Sequence, residues 1–270
     1  VMNLYYLGPK GTFSYLAAKQ YSLEREFAYS HCPPQNLYDV VKSVADNDDA
    51  IGIVPLENSI EGTINIVADS LIQQEVYAHG EIHMNIDFGL YANEGTQIED
   101  ITKVYSIAPA ISQTIQYIHQ HQFEYDYVDS TIQGLEKISS TEAAIAPLGS
   151  GELYSFAPID SHIQDYSLNV TRFLVIKNHA NFDKDGNNTI LLISPKANKA
   201  GLLAKILNIF ALFDINLSWI ESRPMKQKLG FYHFFVQTTT GKTKELDNVI
   251  SILNNLNFKV KIIGVFNAYS

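Results

Sequence analysis

At about 150 residues per domain, a chain of 270 residues has room for two domains. Apolar residues at 46% and charged residues at 18% are ordinary globular usage and exclude a disordered or fibrous chain. The formal charge of −10, with no basic cluster to offset it, excludes a nucleic-acid-binding surface, and the single cysteine, Cys32, excludes an intrachain disulfide or a thiolate-clustered metal site.

Taken in chain order, Leu4 to Leu7 is predicted as a strand and Gly8-Pro9-Lys10-Gly11-Thr12 as a turn, followed by a helix through Ala17, Ala18 and Tyr21. Leu37, Val40, Val41 and Val44 recur at the spacing of one helix face. Ile51 to Val54 reads as a short buried strand, and Ile66, Val67 and Leu71 mark the next helix. Ile82, Met84, Ile86, Phe88 and Leu90 alternate strictly, which predicts one long strand crossing into a second lobe. There, Val104 to Ile107, Tyr125 to Val128 and Ala143 to Ala146 are predicted strands. Helices carrying Ile111, Ile115 and Ile118, then Ile132, Leu135 and Ile138, separate them. Val170 to Ile176 would return the chain to the first lobe. Such alternation predicts mainly parallel sheets, with ligands beyond the strand ends at helix starts.

The opening residues carry no basic segment or cleavage-site pattern, and no apolar run approaches the ~18 residues of a membrane helix, so a cytoplasmic protein is expected. Residues 179–188 are polar and aperiodic, which predicts a linker. From residue 189 to 270 the order strand, helix, strand, strand, helix, strand is a ferredoxin-like split βαβ.

Three strand-to-helix junctions could hold a ligand. Gly8 to Ser14 places Thr12 as a helix cap beside free amides, although an ordinary capped turn has the same signature. Pro55 to Thr63 offers Asn58, Ser59, Glu57 and Glu61 past a strand end, the two glutamates reading equally as solvated loop charge. Asp129-Ser130-Thr131 repeats the placement in the second lobe. Convergence of the three on one cleft would suit a small dianion held by amides and hydroxyls. In Val170-Thr171-Arg172-Phe173, Thr171 could donate a proton and Arg172 could clamp a carboxylate. Alternation puts Thr171 and Phe173 on one face and Arg172 on the other, so one of the two polar groups is structural unless the strand starts late. His79 and His83 are four apart, but Gly80 and the strand pattern argue against one helical face, and no metal is expected.

Together GPKGTFSYLAA (8–18), PLENSIEG (55–62), DSTIQGLEKI (129–138), VTRF (170–173), NKAGLL (198–203) and NLSWIESRP (216–224) resemble the monofunctional prephenate dehydratase family with a C-terminal ACT regulatory domain. The resemblance implies an α/β fold. Its catalytic domain would span 1–178 as two periplasmic-binding-protein-like lobes, about 1–78 plus 160–178 and about 79–159. The linker and a βαββαβ ACT domain at 189–270 would follow. No chorismate mutase segment is expected ahead of the catalytic motifs. The implied reaction is decarboxylative dehydration of prephenate to phenylpyruvate, water and CO2, without cofactor or metal. Thr171 would hydrogen-bond or protonate the leaving hydroxyl. Arg172, Phe173, Asn58, Ser59, Thr12, Ser130 and Thr131 would line the cleft.

Where relatives often carry Ser-His-Pro-Gln, this chain reads Ser106-Ile107-Ala108-Pro109, leaving Ser106 and the later Gln113 as substrate-binding positions. The ACT resemblance implies L-phenylalanine as allosteric effector near Gly201, Leu202, Asn216, Leu217, Glu221, Ser222 and Arg223, at the interface of a homodimer or homotetramer. Arogenate as substrate and a non-catalytic amino-acid sensor are the competing readings.

Overall fold

The long alternation from Ile82 to Leu90 is cut at Ile86-Asp87, and its two halves belong to different sheets. The computed structural model describes residues 1–25 and 28–268. Its first lobe runs β1 (Met2–Tyr6), α1 (Phe13–Leu23), β2 (Tyr29–Cys32), α2 (Leu37–Ala45), β3 (Ala50–Asn58), the two-residue β4 (Gly62–Thr63), α3 (Asn65–Gln73) and β5 (Tyr77–Asn85). The second holds β6 (Phe88–Tyr91), β7 (Lys103–Ser106), α4 (Ala108–Gln113), α5 (Ile115–Gln120), β8 (Glu124–Tyr127), α6 (Thr131–Glu136), β9 (Glu142–Pro147) and β10 (Pro158–Ser161). β11 (Val170–Lys177) returns to the first lobe. The C-terminal unit is β12 (Asn188–Pro195), α7 (Leu202–Leu212), β13 (Leu217–Pro224), β14 (Tyr232–Thr238), α8 (Lys244–Asn255) and β15 (Phe258–Phe266).

Local chemistry sets several helix starts. Thr12, Asn36, Ser130 and Thr243 cap α1, α2, α6 and α8, each side chain accepting a first-turn backbone amide. The helix expected through Ile111, Ile115 and Ile118 is instead two short ones. Between them Thr114 turns its hydroxyl onto the Ala110 carbonyl at 2.7 Å, competing with the helical ladder. Ile138 lies beyond the end of α6. Among the described residues, no helix is long and apolar enough to cross a membrane.

The large sheet has the order β13-β14-β12-β15-β5-β11-β3-β1-β2, with β4 beside β3, and the small one β10-β6-β9-β7-β8. Because β5 pairs in the large sheet, the lobes change at Ile86-Asp87 rather than at residue 79. The sheets are mixed, not mainly parallel. β1 runs parallel to β2 and β3, and β7 to β8 and β9, but β11 is antiparallel to β3 and β5, and β6 to β9 and β10. Strands that cross between lobes without a helical crossover enter their new sheet from the opposite end, which reverses their direction.

Residues 179–188 do not hang free. The His179 carbonyl lies 2.7 Å from His79 Nε2, and Phe182 packs edge-on against Tyr77. The C-terminal sheet joins the first lobe where Gly264 pairs with Ala78. A Cβ at 264 would sit 2.4 Å from the Ala78 carbonyl oxygen, so only glycine permits that approach. One core cluster spans the junction, with Val54, Leu56, Leu71 and Leu174 packed together with Trp219, Phe235 and Phe266.

Candidate active site

Strand β11 divides the chemistry between its two faces. Phe173 and Val175 pack in the core beside α1, whereas Leu174 and Ile176 pack in the core shared with the C-terminal unit. Period-two alternation therefore sends Thr171 and Phe173 one way and Arg172 the other. A β-bulge in the neighbouring β3 refines this. Arg172 pairs with Glu57 and Phe173 with Pro55, so Leu56 is an extra residue. The slip puts Glu57 on the side of Arg172 and returns Asn58 to the side of Thr171, the re-aiming that bulges provide beside binding sites. The PLENSIEG segment is thus half strand, because β3 continues to Asn58 instead of ending before Pro55.

Thr171 and Phe173 open into a cavity of about 260 Å³ between the lobes, which is also lined by Thr12, Asn58, Gln113 and Thr131. Phe13, Phe88, Pro55 and Pro147 supply apolar walls. Among the described residues that line it there is no Lys, Arg or His; Glu61 is the charged one.

The polar floor is a chain of side-chain amides. Asn58 Oδ1 accepts the backbone amides of Ile60 at 2.9 Å and Glu61 at 3.0 Å. Backbone amides only donate, which fixes the orientation of this carboxamide. Its Nδ2 then donates to Thr171 Oγ1 at 3.0 Å and to Asn169 Oδ1 at 2.8 Å. Asn169 Nδ2 in turn donates to Gln113 Oε1 at 2.7 Å, linking the lobes. Because Thr171 Oγ1 accepts from Asn58, its own proton is left to donate elsewhere. The hydroxyl is nearly buried, with the residue 8% exposed, which is the water-poor setting a weak acid needs.

Other expected residues serve the frame. The Thr12 hydroxyl donates to the Leu7 carbonyl and caps Tyr15, both at 3.1 Å, so it borders the cavity with its proton engaged. Ser130 does not line the cavity; its oxygen caps α6 through Gln133. Ser59 is also outside, its hydroxyl oxygen accepting the Val170 amide at 2.9 Å where β3 ends and β11 begins. Ser106 is buried and donates to the Ile145 carbonyl at 2.6 Å, so its hydroxyl faces a neighbouring strand and not the cleft.

Arg172 is the largest correction. It points away from the cavity and sits buried where the catalytic strands meet the C-terminal unit. Its guanidinium lies 3.3 Å from Glu57 and 3.4 Å from Glu81, donates to Gln237, and sits 5.4 Å from the ring centroid of Trp219. Glu81 also contacts His83 on the same strand. A substrate carboxylate cannot reach it there. Asn169, by contrast, is not among the residues the motifs single out, although it stands two residues before Thr171, just ahead of the start of β11, where continued alternation would turn it to the same side. One further step of the alternation would have found it.

In the C-terminal unit, Gly201 caps α7 with φ +78°, and no neighbouring atom would meet a Cβ there. Leu202 opens the helix, while Leu217, Glu221 and Ser222 lie on the edge strand β13 just after Asn216. Arg223 is engaged elsewhere. It clamps Asp69 of α3 bidentately at 2.7 and 3.0 Å and holds that carboxyl below its usual pKa.

A family model described as prephenate dehydratase matches residues 4–181. This chain belongs to the prephenate dehydratase family. A prephenate dehydratase of Methanocaldococcus jannaschii is 30% identical over 273 residues, covering 98% of this chain and 97% of that protein. The crystal structure of the prephenate dehydratase from Staphylococcus aureus subsp. aureus Mu50 is 64% identical, with a TM-score of 0.94 over 98% of this chain and all of the other. That of Arthrobacter aurescens, solved in complex with L-Phe, is 27% identical with a TM-score of 0.82, covering 99% and 90% of the two chains. The two-lobed fold with its βαββαβ appendix is therefore the fold of this family.

Proposed function

We propose that this chain converts prephenate to phenylpyruvate, water and CO2 in the cleft between the lobes, with Thr171 as the proton donor. The observation that carries this reading is the direction of one hydrogen bond. Asn58 donates to Thr171 Oγ1, so the threonine proton points to whatever occupies the cavity.

The chemistry asks little else of the protein. As the ring carboxylate leaves as CO2, its bonding electrons flow into the ring and expel the hydroxyl on the opposite carbon. A hydrogen bond from Thr171 to that hydroxyl lowers the cost of the charge developing on it. The departing oxygen takes the Thr171 proton and leaves as water, Thr171 Oγ1 regains a proton from solvent, and aromatisation drives the step. The remaining task is orientation and charge stabilisation. Phe173, Phe88 and Phe13 give the cavity apolar walls for the ring, Phe13 meeting Phe88 edge-on. The amide groups of Gln113 and the first turn of α1 are placed for the carboxylates.

We assign the C-terminal unit as an ACT domain that binds L-phenylalanine and inhibits turnover, through homodimers or homotetramers in the cytoplasm. Gly201 and Leu202 would offer first-turn amides to the effector carboxylate, with Asn216, Leu217, Glu221 and Ser222 beside them. The free edge of β13, with exposed Ile220 and the exposed Leu203 and Leu207 of α7, supports assembly on this side. Arg223 passes the signal to α3 through Asp69. Inhibition requires phenylalanine to bind a less active conformation more tightly.

The test is phenylpyruvate formation from prephenate by the purified chain without added metal, with and without L-phenylalanine. Turnover suppressed by phenylalanine is expected. A folded protein that leaves prephenate unchanged would overturn the catalytic assignment, and turnover indifferent to phenylalanine would overturn the effector assignment.

A further inference from the structure

The amide chain in the cleft has a polarity, and that polarity is set from one end. Two backbone N–H groups fix Asn58, which forces Nδ2 toward Asn169. Asn169 must therefore present its oxygen to Asn58 and its Nδ2 to Gln113 Oε1. The end of Gln113 that does not face Asn169 is then its Nε2, a donor, on a residue that lines the cavity from the second lobe. Reversing any link would leave two oxygens or two NH2 groups face to face. We infer that Asn169 is a positioning residue that sets the hydrogen-bond polarity of the cleft, so that both lobes present donors to a dianionic substrate.

Three observations favour this role over simple packing. Asn169 is 4% exposed, and both ends of its carboxamide are hydrogen-bonded to side chains that themselves line the cleft. Its backbone carbonyl accepts from Ile86 at 2.7 Å, which places it at the crossing between the lobes. Among the described residues, no other side-chain hydrogen bond joins Gln113 to the first lobe's cleft residues. The inference rests on the reading of the cleft as the prephenate site.

The test uses the isosteric substitution Asn169→Asp in the full-length protein. A carboxylate can still accept from Asn58 but cannot donate to Gln113 Oε1. Gln113 would turn its amide around and present an acceptor, beside a new negative charge, to the dianion. We expect kcat/KM for prephenate at pH 8 to fall by roughly 100-fold, mostly through KM. Burial without a cation raises the carboxyl pKa. As pH falls and the group protonates, its O–H can donate to Gln113 again, and the variant-to-wild-type ratio should climb toward unity. Glu61, the charged side chain lining the cleft, is common to both proteins, and its repulsion of a carboxylate at 169 raises the pKa of the new group further. Asn169→Ala removes both bonds without adding charge; a KM increase of roughly tenfold with a ratio flat in pH is expected, and it keeps the test sharp should the aspartate variant fold poorly. Activity of Asn169→Asp within twofold of wild type, a reduced activity whose ratio is flat in pH, or an unchanged KM in Asn169→Ala would overturn the inference. An inactive wild type would instead overturn the reaction on which it rests.

Discussion

The two faces of β11 hold polar groups of opposite kinds. On the cleft face, Thr171 belongs to a chain of neutral amides and hydroxyls whose ends open into a cavity. On the other face, one residue along, Arg172 is buried in an ionic cluster with buried Glu81 and half-buried Glu57, closed by Gln237 and Trp219 of the C-terminal unit. Neutral hydrogen bonds contribute about 1 kcal/mol each and can be rearranged when a substrate arrives. A buried ion pair resists rearrangement, because removing one partner strands the other's charge. The strand therefore places adaptable chemistry on one side and a rigid connection to the C-terminal unit on the other.

The sharpest way to break this contrast is to remove the cation. Arg172→Met leaves Glu81 buried without its cation, beside a half-buried Glu57, and should cost about 3 kcal/mol in urea unfolding. A loss below about 1 kcal/mol would show that water already reaches the cluster. On the cleft face, Asn58→Leu withdraws the donor that orients Thr171. It should lower kcat about 100-fold, the scale of one lost preorganised donor, measured as phenylpyruvate release. A kcat near wild type would mean that Thr171 orients without it.

The Arg223–Asp69 clamp tests the connection at a second point. A hydrogen-bonded charged pair contributes about 2 kcal/mol, so Asp69→Asn should lower unfolding stability by that order. The Asp69 pKa is depressed by Arg223, so the contribution is full above the usual carboxylate range and is lost as pH falls through the lowered value. Wild type and Asp69→Asn should thus converge in stability as pH falls below the usual carboxylate range. Divergence would place the clamp's contribution elsewhere. The smallest effect belongs to Ser106→Ala, about 1 kcal/mol of stability for a buried hydrogen bond, with kcat within twofold. A collapse in kcat would return Ser106 to the cleft.

Much of this contrast was legible in the sequence. Alternation in VTRF already separates Thr171 and Phe173 from Arg172, and the Thr12 and Ser130 caps follow from residue type at a strand-to-helix junction. Which face meets the cleft depends on what packs against the sheet, and here the C-terminal unit covers one side through Trp219 and Phe235. That contact joins residues more than forty positions apart, which no local pattern reports. The bulge at Leu56 is likewise invisible, since one extra residue in β3 leaves no compositional mark yet reverses the faces that Glu57 and Asn58 take relative to Pro55. Ser106 misleads for a related reason. A serine at the end of a strand looks the same whether its hydroxyl faces a cleft or the carbonyl of the adjacent strand.

The central claim is that the Thr171 hydroxyl, held as an acceptor by Asn58, donates its proton toward the substrate. Its most direct test is the steady-state kcat for prephenate of Thr171→Val, which keeps the shape and removes the hydroxyl, beside Thr171→Ser, which keeps the hydroxyl. A fall of about 10²–10³-fold in the valine variant, with the serine variant within about tenfold of wild type, is expected. Equal activity of the valine variant and wild type would contradict the account.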